Sequence, residues 1–145
     1  MATRTARTAW NGDVQNGSGQ VELTSSGVGT FDVSFPKRTA DAADGTTSPE
    51  ELIGAAHSAC YSMALSAEIG RAGGTPQSLD VKADVTLSPD PAGGFRISEI
   101  ALTVRAEVEG LDADGFNKAA QAAKAGCPVS KALTGTTITL DAALE

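Results

Sequence analysis

Apolar and polar residues alternate most regularly in two stretches, residues 79–87 (Leu79, Val81, Ala83, Val85, Leu87) and 97–108 (Ile100, Leu102, Val104, Ala106, Val108). A two-residue period puts one side of a strand on a core and the other toward solvent, so strands are predicted within about 79–109. Pro89, Asp90, Pro91, Gly93 and Gly94 lie between them and predict a hairpin connection. Shorter alternations run weakly through 5–10, better through 20–24 and cleanly through 30–35, so N-terminal strands are predicted within about 4–35. Gly17, Gly19, Gly27 and Gly29 are read as the turns between them, and residues 36–47 as a polar loop.

The period then changes, and a helix is predicted over about 49–70. Ser48 serves as N-cap, Pro49 suits the first helical position, and Glu51 completes a capping box. From Leu52 to Ala67 there is no full charge, and Leu52, Ile53, Ala55, Ala56, Ala59, Met63, Ala64, Leu65 and Ala67 keep to no single face. Such a helix is expected to be buried nearly all round, wrapped by a sheet and by something else, such as a second subunit. Beyond Gly110 a helix is predicted over about 112–125, capped by Asp112 or Asp114 and closed by Gly126. A helical turn over 128–133 and a strand over about 136–144 follow. Strands, helix, strands, helix and strand make an α+β pattern.

A chain of 145 residues suggests one domain, 1–145, large enough for a core without disulfide staples. Aromatics are scarce while Ala and Gly are plentiful, which favours close packing of small side chains. The net charge of −7 argues against a general nucleic-acid binder. No apolar run follows Arg4 and Arg7, so no secretory signal is expected, and no stretch reaches the roughly 20 apolar residues of a membrane span. A cytoplasmic, reducing setting is therefore expected, with neither nucleic acid nor membrane as partner. A cysteine pair there is more often redox-active than structural.

Cys60 falls mid-helix, where a small core residue and a reactive thiol are both open readings. Cys127, between Gly126 and Pro128, stands at a junction of two helices, where the positive end of a helix dipole lowers a thiol's pKa. Two distant cysteines permit one specific sequence of steps: a thiolate attacks a peroxide oxygen, becomes a sulfenic acid, and condenses with the second thiol. The attacking thiol needs a nearby positive charge or hydrogen-bond donors. Arg38, just past the third strand, is the candidate cation, and Glu50 is free to orient it because Glu51 is committed to the cap. Ten residues of helix place Glu50 roughly 15 Å along the axis from Cys60 and about 80° away around it. If both serve one site, Glu50 comes from a partner subunit. His57, one turn before Cys60, also raises a Cys–His hydrolase as an alternative, though no orienting or oxyanion motif accompanies it. One histidine and two cysteines would need carboxylates to complete a zinc site.

The run Thr47-Ser48-Pro49-Glu50-Glu51-Leu52-Ile53-Gly54-Ala55-Ala56-His57-Ser58-Ala59-Cys60-Tyr61-Ser62-Met63-Ala64-Leu65 resembles the central-helix signature of the OsmC/Ohr family. Gly126-Cys127-Pro128-Val129-Ser130-Lys131-Ala132-Leu133 resembles its second cysteine motif, and Pro36-Lys37-Arg38 with the His57 context is closer to the OsmC branch. The resemblance implies an OsmC-like fold, with antiparallel sheets wrapped around a long buried central helix in an intertwined homodimer. It also implies a peroxidase of organic hydroperoxides, less active on hydrogen peroxide, with no cofactor. By the same resemblance Cys60 attacks the peroxide, Cys127 resolves it, Arg38 activates the thiolate and Glu50 pairs with Arg38. The reductant implied is a dithiol, with lipoylated proteins serving mainly the Ohr branch. Because fold does not fix function, a non-catalytic small-molecule binding protein on the same fold is the other alternative.

Overall fold

The computed structural model describes residues 1–145, which divide into two compact units, Met1–Leu52 and Ile53–Glu145. In the first, β1 (Arg7–Asn11), β2 (Ser18–Glu22) and β3 (Thr30–Val33) form an antiparallel sheet in that order. The β1–β2 turn uses Gly12 at φ +90°, while Asp13 Oδ1 accepts the Gln15 and Asn16 N–H groups at 2.9 and 2.8 Å. Gly19, expected in a turn, lies inside β2 opposite Trp10. A Cβ there would stand 2.5 Å from the Ala9 carbonyl oxygen and 3.0 Å from the Trp10 ring, so close approach of the strands requires glycine.

The alternation through 30–35 ends as strand at Val33, because Ser34 leaves the ladder to cap a helical turn, α1 (Phe35–Arg38). The polar-loop expectation for 36–47 is thus corrected at its start. One turn of helix is too short to show a period. The long helix α2 (Pro49–Arg71) starts where predicted, with Ser48 Oγ accepting the Glu51 N–H at 3.1 Å. The reciprocal half of the expected capping box is replaced: the Glu51 carboxylate accepts from Thr47 Oγ1 at 2.5 Å. Gly73, at φ +87°, ends the helix, and the Gly74 N–H bonds the Ile69 carbonyl at 2.9 Å.

In the second unit β4 (Thr75–Pro89), β5 (Phe95–Glu109) and β6 (Thr137–Leu144) form a sheet in that order. β4 and β5 pair antiparallel through the predicted hairpin, but β6 runs parallel to β5. The expectation of purely antiparallel sheets is therefore corrected here. The chain crosses over through α3 (Ala113–Gly126) and α4 (Pro128–Ala132), the kind of connection a parallel pair needs. β4 begins four residues before the predicted 79, because its edge position and a register shift between Pro76 and Ser78 accommodate the proline. Asp112, of the two candidates, caps α3, its Oδ1 accepting the Gly115 N–H at 2.8 Å. Gly126 does not close α3 with a left-handed turn; Cys127 caps its end and Pro128 follows.

The core of this unit joins Ile100, Leu102, Val104 and Ala106 of β5 to Tyr61, Leu65 and Ile69 of α2 and to Phe116, Ala119, Ala120 and Ala123 of α3. The Tyr61 hydroxyl, buried among them, donates to the Ala120 carbonyl at 2.9 Å, as a buried phenol must find an acceptor. All-round burial of α2 is not found within the chain. His57, Tyr61, Leu65 and Ile69 form one buried stripe, while Ala55, Ala56, Ala59, Met63, Ser66 and Ala67 are exposed, Met63 to 73%. That outer face carries no charge. On the inner side, a Cβ at Gly54 would stand 3.1 Å from the Ala83 carbonyl oxygen of β4 and 3.6 Å from a Val85 methyl. Gly54→Val should therefore destabilise the protein by about 1–3 kcal/mol through overpacking, read as a lower urea midpoint at unchanged slope. No helix is long and apolar enough to cross a membrane.

Candidate active site

Arg38 and Glu50 meet in the first unit. Arg38, the last residue of α1, directs Nε to both Glu50 oxygens at 3.1 Å and Nη2 to Oε1 at 2.6 Å. This fork-to-carboxylate pairing fixes the plane of the guanidinium. Glu50 is buried in the first turn of α2, while Arg38 keeps 31% of its side chain exposed. The Glu50 hydrogen bond pushes the Arg38 pKa above its ordinary value, against the opposing effect of burial, so the cation is permanent. Next to it, Lys37 is taken by Asp44 at 2.6 Å. Arg38 also borders an apolar trough of about 470 Å³ with Trp10, Val21, Val33, Phe35 and Leu52.

The two cysteines meet in the second unit. They are 67 residues apart in sequence, are both free thiols, and lie with their sulfurs 3.2 Å apart, hydrogen-bonded to each other. Closing that gap to the roughly 2.05 Å of a disulfide needs a movement of about 1 Å. Their surroundings differ. Cys60, on α2, is partly exposed, whereas Cys127, at the junction of α3 and α4, is 0% exposed. Burial raises the Cys60 thiol pKa; the Val129 N–H opposes this, and the neighbouring Cys127 raises it further. Burial also pushes Cys127 upward, but the Ser130 N–H, the Cys60 thiol, the Ser130 hydroxyl and the Val129 N–H together outweigh it, so the net direction is down. The two adjacent thiols titrate as a pair rather than one by one.

His57 is fully buried, and burial lowers its pKa, so its ring is neutral at pH 7. Its Nε2 lies 2.7 Å from Ser130 Oγ, and its Nδ1 has no partner. The ring is thus spent on Ser130 and forms no dyad with Cys60, which removes the geometric basis for the Cys–His hydrolase. Ser130, 5% exposed, was not singled out from the sequence. The signal available was a hydroxyl three residues after Cys127, a spacing that brings side chains together over the first turn of a helix.

Residues 42–141, a span that includes Glu50, Cys60 and Cys127, match the family described as OsmC-like protein. The chain is 47% identical over 136 residues to the peroxiredoxin OsmC of Escherichia coli K12, covering 94% of this chain and 92% of that one. It is 30% identical over 110 residues to the organic hydroperoxide resistance protein OhrB of Bacillus subtilis, covering 75% of this chain and 77% of OhrB. The crystal structure of B. subtilis OhrB superposes with a TM-score of 0.74 over 96% of this chain and 98% of that one, at 29% identity. An organic hydroperoxide resistance protein from Elizabethkingia anophelis, with thiocyanate bound, superposes with a TM-score of 0.75 over 99% of each chain, at 26% identity. On sequence, motifs and fold together, the chain belongs to the OsmC/Ohr family, on its OsmC branch.

Proposed function

We propose that this protein is a thiol peroxidase that reduces organic hydroperoxides to alcohols with Cys60 and Cys127. The observation that carries this reading is the pair of free thiols 3.2 Å apart, one reachable and one sealed. Its E. coli relative is named a peroxiredoxin and its B. subtilis relative an organic hydroperoxide resistance protein. The difference in exposure supports Cys60 as the attacking and Cys127 as the resolving sulfur. The Cys60 thiolate attacks the terminal peroxide oxygen, the O–O bond breaks, and the departing alkoxide takes a proton to become the alcohol. Cys60 is left as a sulfenic acid. Cys127 then attacks the Cys60 sulfur; the S–S bond forms, the S–O bond breaks, and hydroxide leaves to become water. A dithiol, such as a lipoylated protein, returns the disulfide to two thiols by exchange.

Within its own unit Cys60 is raised rather than lowered, so the attacking thiolate needs a positive charge from elsewhere. Arg38, held in orientation by Glu50, supplies it. Ten residues of straight helix hold Glu50 roughly 15 Å along the axis from Cys60, so the Arg38–Glu50 pair serving each Cys60 belongs to a second copy of the chain. The uncharged outer face of α2, with Ala55, Ala59, Met63 and Ala67 exposed, supports such a homodimer. The largely apolar trough beside Arg38 supports a preference for a hydroperoxide with an organic tail over hydrogen peroxide, which has none to place there.

Mass spectrometry under non-reducing conditions, after one equivalent of cumene hydroperoxide, tests the pair. A loss of two hydrogens mapped to Cys60–Cys127, absent in Cys60→Ser, is the expected result. An unchanged mass with both thiols free would turn the reading to a binding protein on this fold.

A further inference from the structure

The two sulfurs ride on different parts of the second unit, Cys60 on α2 and Cys127 on the junction of α3 with α4. The Cys127 backbone is tied to both of its own helices. Its N–H donates to the Ala123 carbonyl at 2.8 Å, and its carbonyl accepts the Lys131 N–H at 3.0 Å. The position of its sulfur therefore follows α3 and α4. Each of these helices is in turn bonded to α2. On α3 the Ala120 carbonyl accepts the Tyr61 hydroxyl at 2.9 Å, and on α4 Ser130 Oγ meets His57 Nε2 at 2.7 Å.

These two bonds bracket the sulfurs. His57 lies three residues before Cys60 and Ser130 three residues after Cys127. Tyr61 follows Cys60 directly, and Ala120 lies about two helical turns before Cys127. His57 and Tyr61 are fully buried and Ser130 is 5% exposed, so water does not compete for either bond. Apolar packing is non-directional, whereas a hydrogen bond fixes a distance to within about half an ångström. Between the two bonds the sulfurs stand 3.2 Å apart, inside the roughly 3–3.5 Å of a near-attack arrangement. The peroxidase steps above give His57, Tyr61 and Ser130 no task.

We infer that His57, Tyr61 and Ser130 are positioning residues that set the distance between the sulfurs, so that disulfide formation outruns over-oxidation of Cys60. The inference rests on the Cys60–Cys127 reading above and adds these residues to it. A Cys60 sulfenic acid has two fates. In one, Cys127 attacks its sulfur, the S–S bond forms, and the expelled hydroxide takes the Cys127 proton and leaves as water. In the other, the sulfenic sulfur attacks the terminal oxygen of a second hydroperoxide. An S–O bond forms, the O–O bond breaks, and the departing alkoxide takes the surplus proton to become the alcohol. Cys60 is then a sulfinic acid, which a dithiol does not reduce. The first fate depends on the gap between the sulfurs, the second on hydroperoxide concentration. Opening that gap by about 1 Å slows the first on the order of a hundredfold and leaves the second unchanged.

Oxidising the full chain without reductant, over a range of cumene hydroperoxide concentrations, sends each molecule through this branch once. Mass spectrometry then reads the Cys60–Cys127 disulfide against the Cys60 sulfinic acid, which carries two added oxygens. The hydroperoxide concentration that gives equal amounts should fall about ten- to hundredfold in Ser130→Ala, His57→Leu and Tyr61→Phe. His57→Gln, whose amide can replace Nε2 as the partner of Ser130, should return it to within about threefold of wild type. Sulfenic acid formation, followed by stopped flow, should stay within about threefold of the wild-type rate in all four variants. Tyr61→Phe keeps the ring in the core, so it serves as the test if Ser130→Ala fails to fold. A wild-type branch point in both Ser130→Ala and Tyr61→Phe, or equal slowing of both steps, would overturn the inference. A wild-type protein that forms neither sulfenic acid nor disulfide would instead sink the peroxidase reading itself.

Discussion

Cys60→Ser should abolish hydroperoxide reduction, a loss on the order of a thousandfold or more, whereas Cys127→Ser should turn over once and stop. The asymmetry follows from the two environments. Cys60 is the partly exposed sulfur of the pair, and a serine hydroxyl in its place has no thiolate to offer. Cys127, at 0% exposure, is sealed from solvent and lies 3.2 Å from the Cys60 sulfur. Its removal leaves the first step intact and strands Cys60 as a sulfenic acid. Adding one equivalent of cumene hydroperoxide to Cys127→Ser should release about one equivalent of alcohol and leave a dimedone-reactive sulfenic acid on Cys60. A variant that continues to cycle with a dithiol reductant at the wild-type rate would remove Cys127 from the mechanism. Single turnover by Cys60→Ser would reverse the two roles.

Arg38→Ala should slow the peroxide step by about ten- to a thousandfold near neutral pH. A single nearby cation moves an acid's pKa by about 1–3 units, and the structure supplies Cys60 with burial that works the other way. Losing the guanidinium raises the Cys60 pKa, the thiolate fraction at pH 7 falls, and the rate-against-pH curve moves toward alkaline pH. Well above the new pKa the two proteins should converge, except for whatever Arg38 contributes by orienting the peroxide. An unchanged pH midpoint would remove Arg38 from thiol activation. Co-expression adds a test of which copy supplies the charge. Pairing a Cys60→Ser chain with an Arg38→Ala chain reconstitutes one intact site only if Cys60 and Arg38 come from different subunits, so activity should return in the mixed dimer. No return of activity in a purified mixed dimer would place both residues in one chain.

The elements legible in the sequence are those whose signal is local. Ser48, Pro49 and the uncharged run behind them marked α2 to within a residue or two, because a cap and a first turn are interactions among neighbours. Strict alternation marked β4 and β5, and Asp112 marked the start of α3, for the same reason. Where local and distant demands compete, reading failed. Gly19 looks like punctuation but answers to Trp10 on the next strand. Gly126 does end α3, but without the left-handed turn a closing glycine suggests, because Cys127 and Pro128 follow it directly.

The candidate chemistry divides in the same way. Residue types and motif spacing were enough to nominate Cys60, Cys127, Arg38 and Glu50 before any contact was known. Only the tertiary structure decided that Cys60 and Cys127 lie 3.2 Å apart, that Arg38 forks onto Glu50 and that His57 closes on Ser130. It also decided that β6 returns parallel to β5, which sets the crossover through α3 and α4 that carries Cys127 and Ser130 back to α2. The physical reason is range. Propensity, capping and periodicity are settled within a turn or two of the chain, whereas a contact across 67 or 73 residues depends on how the small side chains of α3 let it settle onto β5 and α2.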